Sequence, residues 1–142
     1  MNDANLYLFV YGTLRRGFHS TAFQYITPFF THEADGKVKG RLYDLGDYPA
    51  AIPATEEQYI VGELYKAKSE DEFNWAISQI DDYEGVHPEE GEQQLYDRAL
   101  TTVFANGKEY TAWIYWYKGN TTGKPLVESG DVMEYIRNKK TS

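Results

Sequence analysis

Asn106 and Gly107 sit between two stretches, residues 96–105 and 108–118, that are rich in β-branched and aromatic side chains. An Asn-Gly pair flanked this way favours a two-residue hairpin turn, because both turn residues must take positive φ. The pair predicts two long antiparallel strands in a fixed register and commits much of the chain to sheet. The second of these strands carries Ala-Trp-Ile-Tyr-Trp-Tyr at 112–117, with aromatics on both faces.

The remaining strands follow from apolar patterning. Residues 6–11, Leu-Tyr-Leu-Phe-Val-Tyr, are apolar on both faces, which predicts a central strand. Residues 37–43 and 59–66 predict two more, each containing Gly-x-Leu-Tyr, with Gly40 and Gly62 in their interiors. Glycine inside a strand signals a bulge or a close backbone approach, and repeated kinks let a sheet curve as a barrel does. Residues 44–50, with Gly46 and Pro49, are expected to be a loop. A short helix is expected at 22–27, ended by Pro28.

Ser69 and Glu72 have the spacing of a capping box, and Phe73, Ile77, Ile80 and Tyr83 follow at helical intervals. Glu70, Asp71 and Glu72 suit the positive end of the helix dipole. This helix is expected to stop near Asp82, before Gly85 and Pro88. Residues 127–140 predict a short amphipathic helix capped around Ser129 or Asp131. The order is β, short α, β, β, α, β, β, α. It predicts an α+β class: one domain over residues 1–142, with a small, strongly curved, mostly antiparallel sheet or β-barrel and flanking short helices.

Composition narrows the chemistry. The 142 residues contain no cysteine, so disulfides, thiolate metal sites and cysteine nucleophiles are excluded. The net charge of −8 argues against a nucleic-acid partner, since phosphate affinity comes mainly from Lys and Arg. No apolar run approaches the ~20 residues of a membrane helix, and the start lacks the features of a signal peptide. A cytoplasmic protein without a membrane partner is expected. The 13 Tyr, 3 Trp and 7 Phe are mostly expected to pack the sheet, although tyrosines also line pockets. His19, His32 and His87 are widely spaced, which predicts no metal site, and no Gly-x-Ser-x-Gly elbow is present.

Two short motifs remain. Tyr-Gly-Thr-Leu-Arg-Arg-Gly at 11–17 follows the first strand. It is not a phosphate-binding loop, because Phe18 and His19 stand where Lys and Ser or Thr belong. A glycine there still lets the chain turn sharply and frees backbone N–H groups for a carboxylate or an oxyanion. From spacing alone, an ordinary strand-end turn is the commoner outcome. Asp-Asp-Tyr-Glu-Gly at 81–85 crowds three carboxylates at a helix C-terminus, where dipole and mutual repulsion disfavour ionisation. A carboxyl group of raised pKa is suited to proton transfer, though a solvated acidic helix end is the plainer alternative.

Taken together and in order, "FVYGTLRRG", "GRLYDLGDYPA", "VGELY", "IDDYEG", "LYDRALTTV", "AWIYWY" and "SGD" resemble the gamma-glutamylcyclotransferase-like superfamily, specifically its small members similar to gamma-glutamylamine cyclotransferase. The resemblance covers nearly the whole chain. It implies a small α/β fold around a barrel with a pocket at one end. It implies that Tyr11, Gly12, Thr13 and Leu14 match a substrate-binding loop, that Glu84 matches the catalytic acid/base, and that Tyr115 lines the pocket. Arg15, with Arg16, adds positive potential beside the loop or points to solvent. Release of 5-oxoproline from a small gamma-glutamyl substrate, without a cofactor, is the implied activity.

Such a substrate carries its own nucleophile, the α-amine, and its own electrophile, the γ-carbonyl. Ring closure then needs proximity and proton handling more than an enzyme nucleophile. The turn at Gly12, Thr13 and Leu14 would hold the α-carboxylate or the oxyanion. Two other readings stand beside this one: a non-catalytic small-ligand binding module on the same fold, and hydrolysis or acyl transfer by an outside nucleophile. The leaving amine and the oligomeric state are left open by the sequence.

Overall fold

The computed structural model describes residues 6–11, 28–45, 49–54, 56–84 and 96–135, with backbone alone at 82–84. The helix expected at 22–27, the turn expected at Gly12, Thr13 and Leu14, and Arg15 lie outside these residues.

Six strands and one long helix make up the frame: β1 (Tyr7–Val10), β2 (Phe30–Asp44), β3 (Pro49–Pro53), β4 (Tyr59–Ala67), α1 (Glu70–Glu84), β5 (Tyr96–Ala105) and β6 (Lys108–Tyr117). The sheet runs β3-β2-β4-β1-β6-β5, and a β2–β5 pairing at Lys37 and Phe104 closes it. The result is a closed five-stranded mixed barrel with β3 as an extra strand on β2. The pairings are antiparallel except β1–β6, which is parallel.

The hairpin forms as its turn residues require. Asn106 and Gly107 have φ of 54° and 72°, and the ladder runs from Ala105 opposite Lys108 to Tyr96 opposite Tyr117. Gly62 marks a close approach: a Cβ there would stand 2.2 Å from the Val10 carbonyl oxygen and 2.6 Å from the Phe9 ring. The β-bulge itself lies elsewhere, between His32 and Ala34 on β2.

Two segments depart from the sequence expectation. β2 begins at Phe30 rather than near residue 37, and its polar first half alternates exposed and buried residues as a sheet face does. Where a loop was expected at 44–50, Pro49 already opens β3. A proline is tolerated at a strand's first position and on an edge strand, where its missing N–H breaks no ladder.

α1 starts as its capping pattern dictates, with the Glu72 amide donating to Ser69 Oγ at 3.1 Å. It runs to Glu84, two residues beyond the expected stop. Its buried face, Phe73, Ala76, Ile77 and Ile80, packs on Leu8, Val10 and Tyr65. Fully burying an Ile or Phe side chain contributes roughly 1.5–3 kcal/mol, so these contacts fasten the helix to the outside of the barrel. The interior is a separate core of Phe9, Val38, Leu42, Ile60, Leu64, Val103 and Ile114, all with no exposed surface. Near the end of the chain, Asp131 caps a short helical turn, accepting from the Met133 amide at 3.0 Å. Val127 and Val132 join the interior core.

Candidate active site

The register brings the ends of several elements together. β1 runs parallel to β6 and antiparallel to β4, and β5 is antiparallel to β6. The C-terminal ends of β1 and β6 and the first residues of β5 therefore share one end of the barrel. α1 follows β4 and runs back toward this end. Tyr11, Tyr115 and the helix end that bears Glu84 are all gathered here.

A row of residues crosses the sheet at this level. Glu63 pairs with Val10, Tyr115 pairs with Arg98, and Leu8 pairs with Trp113, so two residues further along both strands Val10 comes beside Tyr115. Directly paired residues point to one face, and this face is the one that α1 covers. Asp81 descends onto it from the helix.

The polar contacts form a chain. The Tyr11 hydroxyl donates to the Tyr115 carbonyl oxygen. The Tyr115 hydroxyl donates to Asp81 Oδ1 at 2.7 Å. Arg98 grips the same carboxylate with both arms, Nε to Oδ1 at 2.8 Å and Nη2 to Oδ2 at 3.0 Å. Asp81 is 3% exposed and Tyr115 is equally buried, so these bonds lie almost out of water. The Arg98 guanidinium also stacks over Trp113, 4.6 Å from the ring centroid.

Burial tends to lower the Arg98 pKa, but the hydrogen bond and charge of Asp81, with smaller contributions from Tyr115 and Asp97, outweigh it and raise the pKa above arginine's ordinary value. For a raised base, the associated stabilisation is complete below the unfolded pKa and is lost only as pH rises through the folded one. Arg98 therefore remains charged throughout the neutral range.

The crowding of acids expected at 81–84 is thus relieved at its first member. The last turn of α1 holds no basic residue. Arg98 supplies the counter-charge from β5, to Asp81 and to the negative end of the helix dipole alike. Glu63 is a second buried carboxylate, 4% exposed, and accepts from the Tyr65 hydroxyl at 2.8 Å. Asp81, Arg98 and Glu63 were not singled out as site residues from sequence. The hairpin supplied a signal for one of them: counting back from Asn106-Gly107 places Arg98 directly opposite Tyr115.

Among the predicted site residues, Tyr11 and Tyr115 meet directly, and the backbone of Glu84 lies one helical turn beyond Asp81. Gly12, Thr13, Leu14 and Arg15 fall outside the described residues, as does the side chain of Glu84. Among the described residues, no group of three or more His, Asp or Glu is placed to hold a metal ion. None of the described helices is long and apolar enough to cross a membrane.

The family model for "Gamma-glutamyl cyclotransferase, AIG2-like" proteins matches residues 8–134. A provisionally named gamma-glutamylcyclotransferase of Methanocaldococcus jannaschii is 32% identical over 130 residues, covering 91% of this chain and 97% of the relative. The gamma-L-glutamyl-butirosin B gamma-glutamyl cyclotransferase of Niallia circulans is 30% identical over 111 residues, covering 78% of this chain and 65% of the relative. The crystal structure of YkqA from Bacillus subtilis superposes with a TM-score of 0.70 at 26% identity, over 97% of this chain and 43% of YkqA.

Proposed function

Because the chain belongs to the gamma-glutamyl cyclotransferase, AIG2-like family, we propose that it releases 5-oxoproline from a small gamma-glutamyl amine or peptide, with Glu84 as general acid/base and no cofactor. The observation that carries this reading is the convergence of the Tyr11 end of β1, Tyr115 and the Glu84 end of α1 at one end of the barrel.

The reaction is intramolecular. Glu84 takes one proton from the substrate's α-ammonium. The freed amine attacks the γ-carbonyl carbon, and the carbonyl oxygen becomes a tetrahedral oxyanion. Glu84 returns its proton to the leaving nitrogen, and the γ C–N bond breaks as the carbonyl re-forms. The ring nitrogen sheds its remaining extra proton, which the released amine takes up. N–H groups of the Gly12, Thr13 and Leu14 turn receive either the oxyanion or the substrate's α-carboxylate. Arg15 adds positive potential, and Tyr115 backs the pocket wall. A cytoplasmic location accords with the cysteine-free sequence.

Glu84→Gln tests the assignment. It keeps the side chain's shape but removes its proton cycle, so turnover should fall by roughly 10²–10⁴-fold while substrate still binds. Full turnover in this variant would remove Glu84 from the mechanism.

A further inference from the structure

Glu84 is the final residue of α1. The last turn of a helix lacks intrahelical partners for its carbonyl groups, and helix ends open most readily. A carboxylate that cycles a proton, however, must be held within about 0.5 Å of its productive position. Something outside the helix has to fix this turn.

We propose that Asp81, Arg98 and Tyr115 are positioning residues that latch the last turn of α1, and with it Glu84, to the barrel end. The inference rests on the reading of Glu84 as the acid/base. Asp81 stands three residues before Glu84, about 4.5 Å along the helix axis. Its carboxylate receives three directed bonds, two from Arg98 on β5 and one from Tyr115 on β6. A bidentate arginine fixes orientation as well as distance. The Tyr11 hydroxyl on the Tyr115 carbonyl extends the tie to the residue that precedes the proposed substrate-binding segment 12–14. The two elements that carry the proposed acid/base and the proposed oxyanion or carboxylate donors are thereby joined through one strand residue.

Stability alone accounts poorly for this arrangement. The rest of the helix face is apolar: Phe73, Ala76, Ile77 and Ile80 already fasten α1. Replacing a buried ion pair by apolar side chains of similar volume is often neutral or stabilising. What the ion pair adds at this point is direction.

The test uses Tyr115→Phe, which removes only the hydroxyl, and Arg98→Lys, which keeps the charge but loses the fork. Arg98 and Tyr115 are paired across β5 and β6 and share Asp81 Oδ1, so each variant weakens the same latch through a different bond. Turnover and hydrogen exchange are measured on both and on wild type. A latch predicts that each variant lowers kcat by about 10- to 100-fold, leaves KM unchanged, and speeds exchange of the amides at 81–84 while the strands remain protected. A raised KM with unchanged kcat in Tyr115→Phe would mean that the Tyr115 hydroxyl serves substrate binding and not the helix end, and would overturn the latch. So would wild-type exchange at 81–84 in both variants. If the wild-type protein forms no 5-oxoproline, the reading of Glu84 fails, and the exchange data alone decide whether the network holds the turn.

Discussion

The barrel has two cores, one inside and one between its outer wall and α1, and they are built differently. The interior cluster of Phe9, Val38, Leu42, Ile60, Leu64, Val103 and Ile114 is fully buried and apolar. The cluster beneath α1 begins the same way at Phe73 and Ile77 but ends in Asp81, with Glu63 and Arg98 in the same row of the sheet. The buried charged residues among those described, Glu63 and Asp81, both belong to this second region. The interior fixes the shape of the barrel, and the outer core carries polar groups toward one end. The difference teaches that helix α1 does more than cover a wall: it brings an acidic helix end to a defined place on the sheet.

That division can be broken from either side. The largest contrast is Glu84→Gln, expected to abolish most turnover while leaving the thermal midpoint unchanged; a large loss of stability would mean that Glu84 serves the fold. Next comes Leu64→Ala inside the barrel. Leu64 has no exposed surface, and its truncation should cost about 2–5 kcal/mol, visible as a lower denaturation midpoint. The protein that stays folded should keep its kcat, and a specific loss of kcat would show that the interior takes part in the chemistry. The smallest effect is Ser69→Ala at the far end of α1. Removing this N-cap should cost about 1 kcal/mol and leave hydrogen exchange at 81–84 as it was. Loosening of 81–84 in that variant would show that the helix is held along its whole length, not by its Asp81 end.

Local signals made much of the fold legible. The hairpin was written in Asn106-Gly107, the helix start in Ser69 and Glu72, and the tight sheet crossing in Gly62. β3 was hidden because Pro49 reads as a breaker, and its strand character comes only from pairing with β2. The first half of β2 was hidden because its polar residues form the exposed side of a long strand. The proposed site was read from motifs, at Tyr11, Gly12 and Glu84, of which Gly12 and the Glu84 side chain lie outside the described residues, and the network beside it was not read at all. Asp81 and Arg98 are 17 residues apart, and no local rule couples a helix-end acid to an arginine on the following strand. Only the three-dimensional register does so.

The central claim is cyclisation by the substrate's own amine. The most direct measurement is mass-spectrometric detection of 5-oxoproline from a panel of gamma-glutamyl amines and dipeptides, each offered with a free and with an acetylated α-amine. The account predicts 5-oxoproline and an equal amount of released amine from at least one free substrate, and neither product from its acetylated form. Release of the amine from the acetylated form would contradict it, since water or another outside nucleophile would then be attacking the γ-carbonyl.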